Sequence, residues 1–253
     1  MGLNFIVGTR TLLEIVSQTH GAVRVPLAQN FDYTPSFEER RIFEFDTADA
    51  VAIVSNFNGV DIAFTHYDSD SKLIDAMIND LDPAGTAITD DPSQYKSVTV
   101  LLNIRSKDTN KIFQSVLVQG LNLTGAAASE PVREEGQIAR SGAGTNVLRI
   151  KGAAIEYNRA LRTASTAFAQ GAANSHADVV ATLDVTVYKF SVINTPQIVN
   201  AANPDLDGES IIYVLKNGVE YVGATVAAKV VSIPKDDFGA NDVFEVFTAY
   251  VDS

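Results

Sequence analysis

Cysteine and tryptophan are absent from this 253-residue chain, and histidine occurs only three times. Without cysteine the chain has no disulfide, no thiolate nucleophile and no cysteine metal ligand, so burial and hydrogen bonding must hold the fold together. The histidines, His20, His66 and His176, show none of the short spacings of a zinc site, such as two His at i and i+4. We therefore expect surface or packing roles for them.

Basic charge is scarce as well. The chain has 19 Lys and Arg against 31 Asp and Glu, a formal net charge of −12. Proteins that grip nucleic acid use clustered Lys and Arg to displace the counterions of phosphate, and this chain has no such cluster. It also lacks an uncharged apolar run of the roughly 18 residues that a membrane helix needs, and a secretory leader. We expect a soluble protein.

Motifs of known catalytic or binding sites are missing or incomplete. There is no G-x-S-x-G, and SGAGTN at 141–146 has two of the three glycines of a dinucleotide-binding turn, which favours an ordinary flexible turn. NPDLDG at 203–208 resembles half of a calcium loop, but Val214 stands where that loop needs a bidentate Glu. We expect no enzymatic activity and no cofactor, and calcium at this segment stays an open alternative.

Period-two alternation of apolar residues predicts a strand-rich chain. The segments with this pattern are RIFEF, VDIAFTHY, SVTVLLNI, KIFQSVLVQGLNL, VVATLDVTVYKFSV, ESIIYVL, VEYVGATVAAKVVSI and DVFEVFTAYV. In KIFQSVLVQGLNL apolar residues fall on both faces of the predicted strand, so both faces should be covered by other parts of the protein. Leu117 and Leu121 are predicted to lie on the same face. Asn217 and Gly218 predict a type I′ hairpin turn.

Two segments have helical periodicity. Residues 71–81 carry an apolar helical stripe that ends before Pro83, and residues 155–171 place Tyr157, Leu161 and Phe168 on one helical face. Long loops are predicted at 82–95, 125–146 and 194–208. The expected fold class is mainly β (α+β), with two packed antiparallel sheets forming a sandwich or barrel with one or two flanking helices.

Acidic residues crowd the stretch FEERRIFEFDTADAVAIVSNFNGVDIAF at 37–64. Glu44 and Asp46 lie two apart on a predicted strand, which puts both carboxylates on one face about 7 Å apart, a separation found in glycosidases. Because they alternate with Phe43 and Phe45, we interpret them as the solvent-exposed face of a strand whose two Phe side chains point inward. A carbohydrate-active β domain is the minor alternative.

The order of segments resembles a known family. VPLAQNFDY, the strand pair of residues 41–64, the helix SKLIDAMINDL, the strands SVTVLLNIRSKDTNKIFQSVLVQGLNL and the loop EPVREEGQIARSG are similar to the tail tube (major tail) proteins of contractile or long-tailed bacteriophages. The resemblance covers roughly residues 20–195. On this basis the expected domains are a tail-tube-like domain at 1–195 and a C-terminal β extension at 196–253 packed on the same domain.

The resemblance implies a structural virion protein of the tail, made in the host cytoplasm. Hexameric rings would stack into a tube through long loops and terminal arms, and their inner strands would form a continuous barrel through which DNA passes without specific binding. The implied partners are the chain itself and the sheath, baseplate and tape-measure proteins, with no membrane contact. The main alternative is another virion assembly protein, such as a capsid decoration or baseplate component.

Two sets of residues are candidates for roles in such a tube. Glu44 and Asp46 would face either the lumen or the outer solvent. The predicted loop at 125–146 mixes both signs of charge and would pair charges between subunits through Glu130, Arg133, Glu134, Glu135 and Arg140.

Overall fold

The computed structural model describes residues 3–6, 12–17, 21–25, 28, 30–43, 50–66, 96–106, 111–129, 137–162, 178–196 and 211–251. These residues form strands almost throughout, with one turn of 3-10 helix at Lys235–Asp237. The strong alternation of β-branched and aromatic residues with polar ones accounts for this, since such residues suit a pleated, half-buried surface. The predicted mainly β class is therefore confirmed.

The first and largest sheet has the order β1-β4-β5-β8-β7-β6-β2-β3, and β9 also pairs with β7. Every pairing in it is antiparallel. Its strands are β1 Leu3–Ile6, β2 Leu12–Ser17, β3 Gly21–Arg24, β4 Asn30–Phe43, β5 Ala50–His66, β6 Val98–Arg105, β7 Ile112–Ser129, β8 Gln137–Gly144 and β9 Asn146–Lys151.

Two smaller sheets follow, of five and four strands. The five-stranded sheet has the order β11-β10-β18-β14-β15, formed by β10 Ala154–Leu161, β11 Asp178–Val180, β14 Ile211–Lys216, β15 Val219–Glu220 and β18 Val243–Tyr250. The four-stranded sheet has the order β12-β13-β17-β16, formed by β12 Thr182–Asp184, β13 Val187–Ser191, β16 Thr225–Ala227 and β17 Val230–Pro234.

Three apolar cores hold these layers together. The first lies within the large sheet, where Phe31, Val60 and Val100 are buried. The second lies between the large sheet and the five-stranded sheet, where Leu101 and Leu117 meet Phe247. The third joins the five-stranded and four-stranded sheets. The five-stranded sheet is therefore covered on both faces.

This double coverage explains why the predicted helix at 155–171 is wrong in its first part. Residues 154–161 form β10, paired along its length with β18, and Ala154–Ala160 are all buried. A strand buried on both faces loses the alternation that identifies strands in a sequence. The later part of that segment, and the helix predicted at 71–81, lie outside the described residues.

The C-terminal residues are interleaved with earlier ones. Strand β18 pairs with β10, and β17 pairs with β13. The predicted division at residue 195 thus falls between strands that share the same two sheets.

A bulge in β7 separates residues that the simple alternation puts on one face. Val98 pairs with Leu121 but Val100 pairs with Val118, so Gln119 and Gly120 stand opposite one residue, and Gly120 has φ +59°. As a result Leu117 faces the second core and Leu121 the first, which corrects the prediction that they share a face. Coverage of both faces of this strand is confirmed.

The turn predictions had mixed outcomes. Asn217 and Gly218 have φ +53° and +80° and join β14 to β15, which confirms the type I′ hairpin.

The loop predicted at 125–146 is wrong for most of its length, since β7 continues to Ser129, β8 starts at Gln137, and SGAGTN runs from β8 into β9. Alanine, serine and glycine dominate this stretch and have weak strand propensity, which concealed the pairing. Residues 82–95 and most of 194–208 lie outside the described residues.

Buried polar side chains join the first sheet to β10. Asn103 donates from Nδ2 to the carbonyl of Ile155 at 3.0 Å and accepts at Oδ1 from the Ile155 amide at 3.1 Å. The single proton of the Ser115 hydroxyl has two acceptors within reach, Asn103 Oδ1 at 2.6 Å and the carbonyl of Ala153 at 2.8 Å. Asn103 thereby satisfies the Ile155 backbone on the side of β10 that faces away from β18, where β11 pairs only with residues 159–161.

Glu156, also buried, organises the chain after β13. Its Oε1 accepts from Asn158 Nδ2 at 2.7 Å and from the amide of Ile193 at 2.8 Å, and its Oε2 accepts from the amide of Asn194 at 2.9 Å. A buried carboxylate that accepts several hydrogen bonds fixes the segment that donates them.

Candidate functional site

The most distinctive surface of the chain is one face of four neighbouring strands in the large sheet: β4, β5, β8 and the C-terminal half of β7. Directly paired residues share a face, so the register assembles rows across these strands. Thr34, Asp61, Ala143 and Asn122 form one row. The next two rows are Asp32–Ala63–Ser141 and Asn30–Thr65–Ala139.

These ten side chains, here called the small-residue face, are half-buried or exposed. They are all alanine, serine, threonine, asparagine or aspartate, so no long or aromatic side chain stands on the surface. Asp32 and Asp61 carry the only charges of the face. The face is therefore smooth, polar and negative.

The opposite side of the same strands carries the first core, which is why the alternation is so regular. Phe31, Tyr33, Ile62 and Phe64 point inward between the residues of the small-residue face. Gly142 lies so close to β7 that an added Cβ would be 2.2 Å from the carbonyl oxygen of Asn122. Glycine at this position allows β8 to pack against the bulged part of β7.

The part of the large sheet that carries the small-residue face has two edges, one on β4 and one on β7, that lack a neighbouring strand among the described residues. β1 pairs with residues 30–33 of β4, and in the described part of the chain nothing pairs with that edge from residue 34 to 43. Likewise β6 pairs with β7 only as far as Leu121, which leaves residues 122–129 unpaired on that side among the described strands. Such edges present rows of backbone donors and acceptors ready to pair with another strand.

A hairpin arm extends beyond the sheet. β8 pairs with β5 only at residues 60–66, so residues 50–57 of β5 pair with β4 alone within the described structure. At the base of this arm Phe37 is 60% exposed and Phe57 is 43% exposed, and their rings meet edge to face at 5.7 Å between centroids. Two exposed aromatic rings on a projecting arm form an apolar contact point.

Six of the seven predicted site residues lie outside the described part of the chain, and the seventh, Arg140, lies in a strand. Glu44 and Asp46 lie outside the described residues, since β4 ends at Phe43, and their position on a lumen or outer face stays a prediction. Glu130, Arg133, Glu134 and Glu135 also lie outside the described residues, so their inter-subunit role stays a prediction too.

Arg140 is not on a loop. It lies in β8, pairs with Phe64 and is 3% exposed, on the side of the first core. A contact from this side chain to another subunit would require that core to open, so the inter-subunit role predicted for it is not supported by its place in the fold.

Sequence reasoning missed Asp32 and Asp61 as the acids of the shared face. The signal was present in FDYT at 31–34 and VDIAFT at 60–65, where large apolar residues alternate with Asp, Ala and Thr. What the alternation could not indicate is that these two segments and the Ala-Ser-Gly stretch of β8 lie side by side.

Other chemistry is not assembled in the described part of the chain. No group of three or more His, Asp or Glu side chains there lies close enough to hold a metal ion. His66 is fully buried in β5, with its ring 5.7 Å from that of Phe64. Within the described residues, no helix has the length and apolar character to cross a membrane.

No protein-family model matches this sequence, and no curated protein matches it. Among solved structures, the chain is similar to one from the sheath–tube complex of the extracellular contractile injection system PVC in its extended state. The sequence identity is 10% and the TM-score is 0.36. The match covers 58% of this chain and 92% of that chain. It is similar to the SPP1 tail tube, with 16% identity, coverages of 58% and 80%, and a TM-score of 0.35. It is also similar to Hcp1 from Salmonella typhimurium, with 7% identity, coverages of 56% and 87%, and a TM-score of 0.33. In each case the shared part is somewhat more than half of this chain and most of the other.

Proposed function

We propose that this chain is the structural, non-enzymatic subunit of a phage-type tail tube, in which hexameric rings stack around a channel that lets DNA pass. The observation that carries the proposal is the small-residue face. A surface that must let a polyanion slide needs to lack cations, which would bind phosphate, and long side chains, which would narrow the channel. The small-residue face meets both requirements.

The two unpaired edges support ring formation. A contact between the β7 edge of one copy and the β4 edge of the next joins two different surfaces, and such a heterologous contact closes into a ring when the rotation between copies allows it. Because β4, β5, β8 and β7 alternate in direction, β7 of one copy would run antiparallel to β4 of its neighbour. The antiparallel pattern therefore continues across every junction.

The channel in such a ring would be wide. Six copies of four strands would give about 24 strands, which at a spacing of about 4.8 Å and a tilt of about 40° form a cylinder about 48 Å across between backbones. Small side chains on the inner surface would leave most of this width open.

The projecting arm gives the rings a means of stacking. Phe37 and Phe57 are exposed within one copy, and contact with an adjacent ring would bury them. Sheath, baseplate and tape-measure proteins are the further partners that this role implies, and the virion tail is the implied location.

The test is negative-stain electron microscopy of the purified chain over a concentration series, since assembly follows mass action. We expect rings or hollow tubes. Discrete trimers or spikes would refute the proposal and favour a capsid decoration or baseplate component.

The role of the small-residue face needs a second test. We expect Asp32→Lys/Asp61→Lys tubes to retain nuclease-protected DNA, because the reversal places cations along the channel. The control is Glu220→Lys/Asp236→Lys, which makes the same change in net charge at exposed residues of the C-terminal sheets and the 3-10 turn. Equal DNA retention by both variants would show that the face does not line the channel.

A further inference from the structure

A polar cavity of about 530 Å³ lies between the large sheet and the five-stranded sheet, beyond the end of the second core. One wall is the segment that enters β6 together with the bulge of β7. The other wall is the β14–β15 hairpin and β18. Pockets that bind small molecules have volumes of about 300–1,000 Å³. The cavity is separate from the small-residue face.

The bulge of β7 shapes the floor of this cavity. The Thr145 amide and hydroxyl both donate to the carbonyl of Gln119, at 2.9 and 3.2 Å. An added Cβ on Gly120 would be 2.3 Å from Thr145 Oγ1, so this contact requires glycine.

Glu245 is the buried acid of the cavity. It is 3% exposed, and its Oε1 accepts from the hydroxyl of Tyr157 at 3.3 Å. Glu245 lines the cavity, so its carboxyl group is the acidic group that a molecule entering the cavity would meet.

Apart from Lys96, the one cation of the lining, the remaining polar groups are neutral. The hydroxyls of Ser97 and Thr99 and the amide of Gln119 are among them. The Thr145 hydroxyl and the Asn217 amide also line the cavity but are bonded within the chain. Hydroxyls and amides both donate and accept, so they match a ligand whose own groups do both.

Tyr213 supplies an aromatic side. It is half-buried, its ring lies 6.0 Å from that of Phe247, and it lines the cavity. A tyrosine at such a position offers an apolar face with a polar tip.

Charge narrows the class of ligand. An anionic ligand would be repelled by the charged form of Glu245, while Lys96 is the only cation in the lining. A cationic ligand would be repelled by Lys96 in the lining and by Arg159, whose positive charge acts on Glu245 from the neighbouring strand β10. An apolar ligand would place the hydroxyls of Ser97 and Thr99 and the carboxyl of Glu245 against an apolar surface.

We infer that this cavity binds a neutral saccharide, with Glu245 and Thr99 bonded to sugar hydroxyls and Tyr213 against an apolar face of the ring. The inference is independent of the tube proposal, because a structural subunit of any assembly can present such a site.

The test is a saturation-transfer NMR titration of the full chain with glucose, galactose and N-acetylglucosamine. We expect at least one of them to bind. Glu245→Leu should weaken that binding by about tenfold or more, since the hydrogen bonds of a buried carboxyl group to the sugar are lost. Thr99→Val, of equal shape, should weaken it by about threefold to tenfold. The matched control Thr225→Val, at an exposed position in β16, should bind normally.

The melting temperature of each variant shows whether it is folded, and Thr99→Val keeps the test valid if Glu245→Leu is not. The inference is overturned if none of the three sugars binds, if both cavity variants bind as well as the control, or if a sialylated or phosphorylated sugar binds more tightly than the neutral ones. Electron microscopy of the same samples separates loss of sugar binding from loss of assembly.

Discussion

Replacement of Glu245 by glutamine should stabilise the protein at neutral and alkaline pH. Burial raises the pKa of the Glu245 carboxyl from 4.5 to about 7, even though the Tyr157 hydroxyl and the charge of Arg159 favour its ionised form. The folded state therefore holds a proton that the unfolded state releases at a lower pH. Stability is greatest below the unfolded pKa and falls as the pH rises toward 7.

The size of the effect follows from the two pKa values. A difference of one pKa unit corresponds to about 1.4 kcal/mol, so the folded state loses on the order of 3 kcal/mol between about pH 4.5 and 7 through this group. Glutamine has the shape of the protonated acid, can still accept from Tyr157 and does not titrate. We expect the variant to equal the parent near pH 4.5 and to exceed it by up to about 3 kcal/mol at pH 8.

Urea unfolding at a series of pH values would measure this. The difference in free energy of unfolding between variant and parent cancels the titration of all other groups, and Glu220→Gln, at an exposed position of β15, is the control with the same chemistry. A difference that stays constant with pH, or a Glu245→Gln variant less stable than the parent at pH 8, would refute the reasoning.

Three further substitutions test other parts of the fold. Asn103→Ala removes three buried hydrogen bonds and leaves the Ile155 amide and carbonyl unpaired. The free energy of unfolding in urea should therefore fall by about 2–4 kcal/mol. A fall of less than about 0.5 kcal/mol would contradict the bridging role. Glu156→Ala should cost about 2–5 kcal/mol because the amides of Ile193 and Asn194 lose their acceptor, with faster proteolysis near residue 194 as a second readout. Gly142→Ala places a Cβ 2.2 Å from the carbonyl oxygen of Asn122. The free energy of unfolding should fall by about 1–3 kcal/mol because the two strands must move apart. A melting temperature unchanged from the parent would show that β7 and β8 can separate freely.

Strands with one covered face could be predicted well from the sequence. VDIAFT in β5, predicted as a strand, alternates because one side meets the first core and the other meets solvent. The hairpin at Asn217 and Gly218 was equally predictable, since its turn requires two positive φ angles that these residues adopt easily.

Strands that depend on distant neighbours could not be predicted in this way. β10 is buried by β18 on the same sheet and by two cores on its faces, so its polar residues Glu156 and Asn158 look helical or exposed in a one-dimensional pattern. β8 is made mostly of small residues with little strand propensity, and its strand character comes from pairing with β5 and β7.

The sequence by itself determined the mainly β class, the strong negative charge, the lack of cysteine chemistry and most strand positions, because composition and local alternation are properties of neighbouring residues. Only the tertiary structure decided that Asp32, Asp61 and the small residues of β8 form one continuous face, and that Glu245 lies buried at a cavity. The face joins Asp32 to Asp61, 29 positions apart, and the cavity joins Thr99 to Glu245, 146 positions apart, through strand register and sheet packing, which no local pattern encodes.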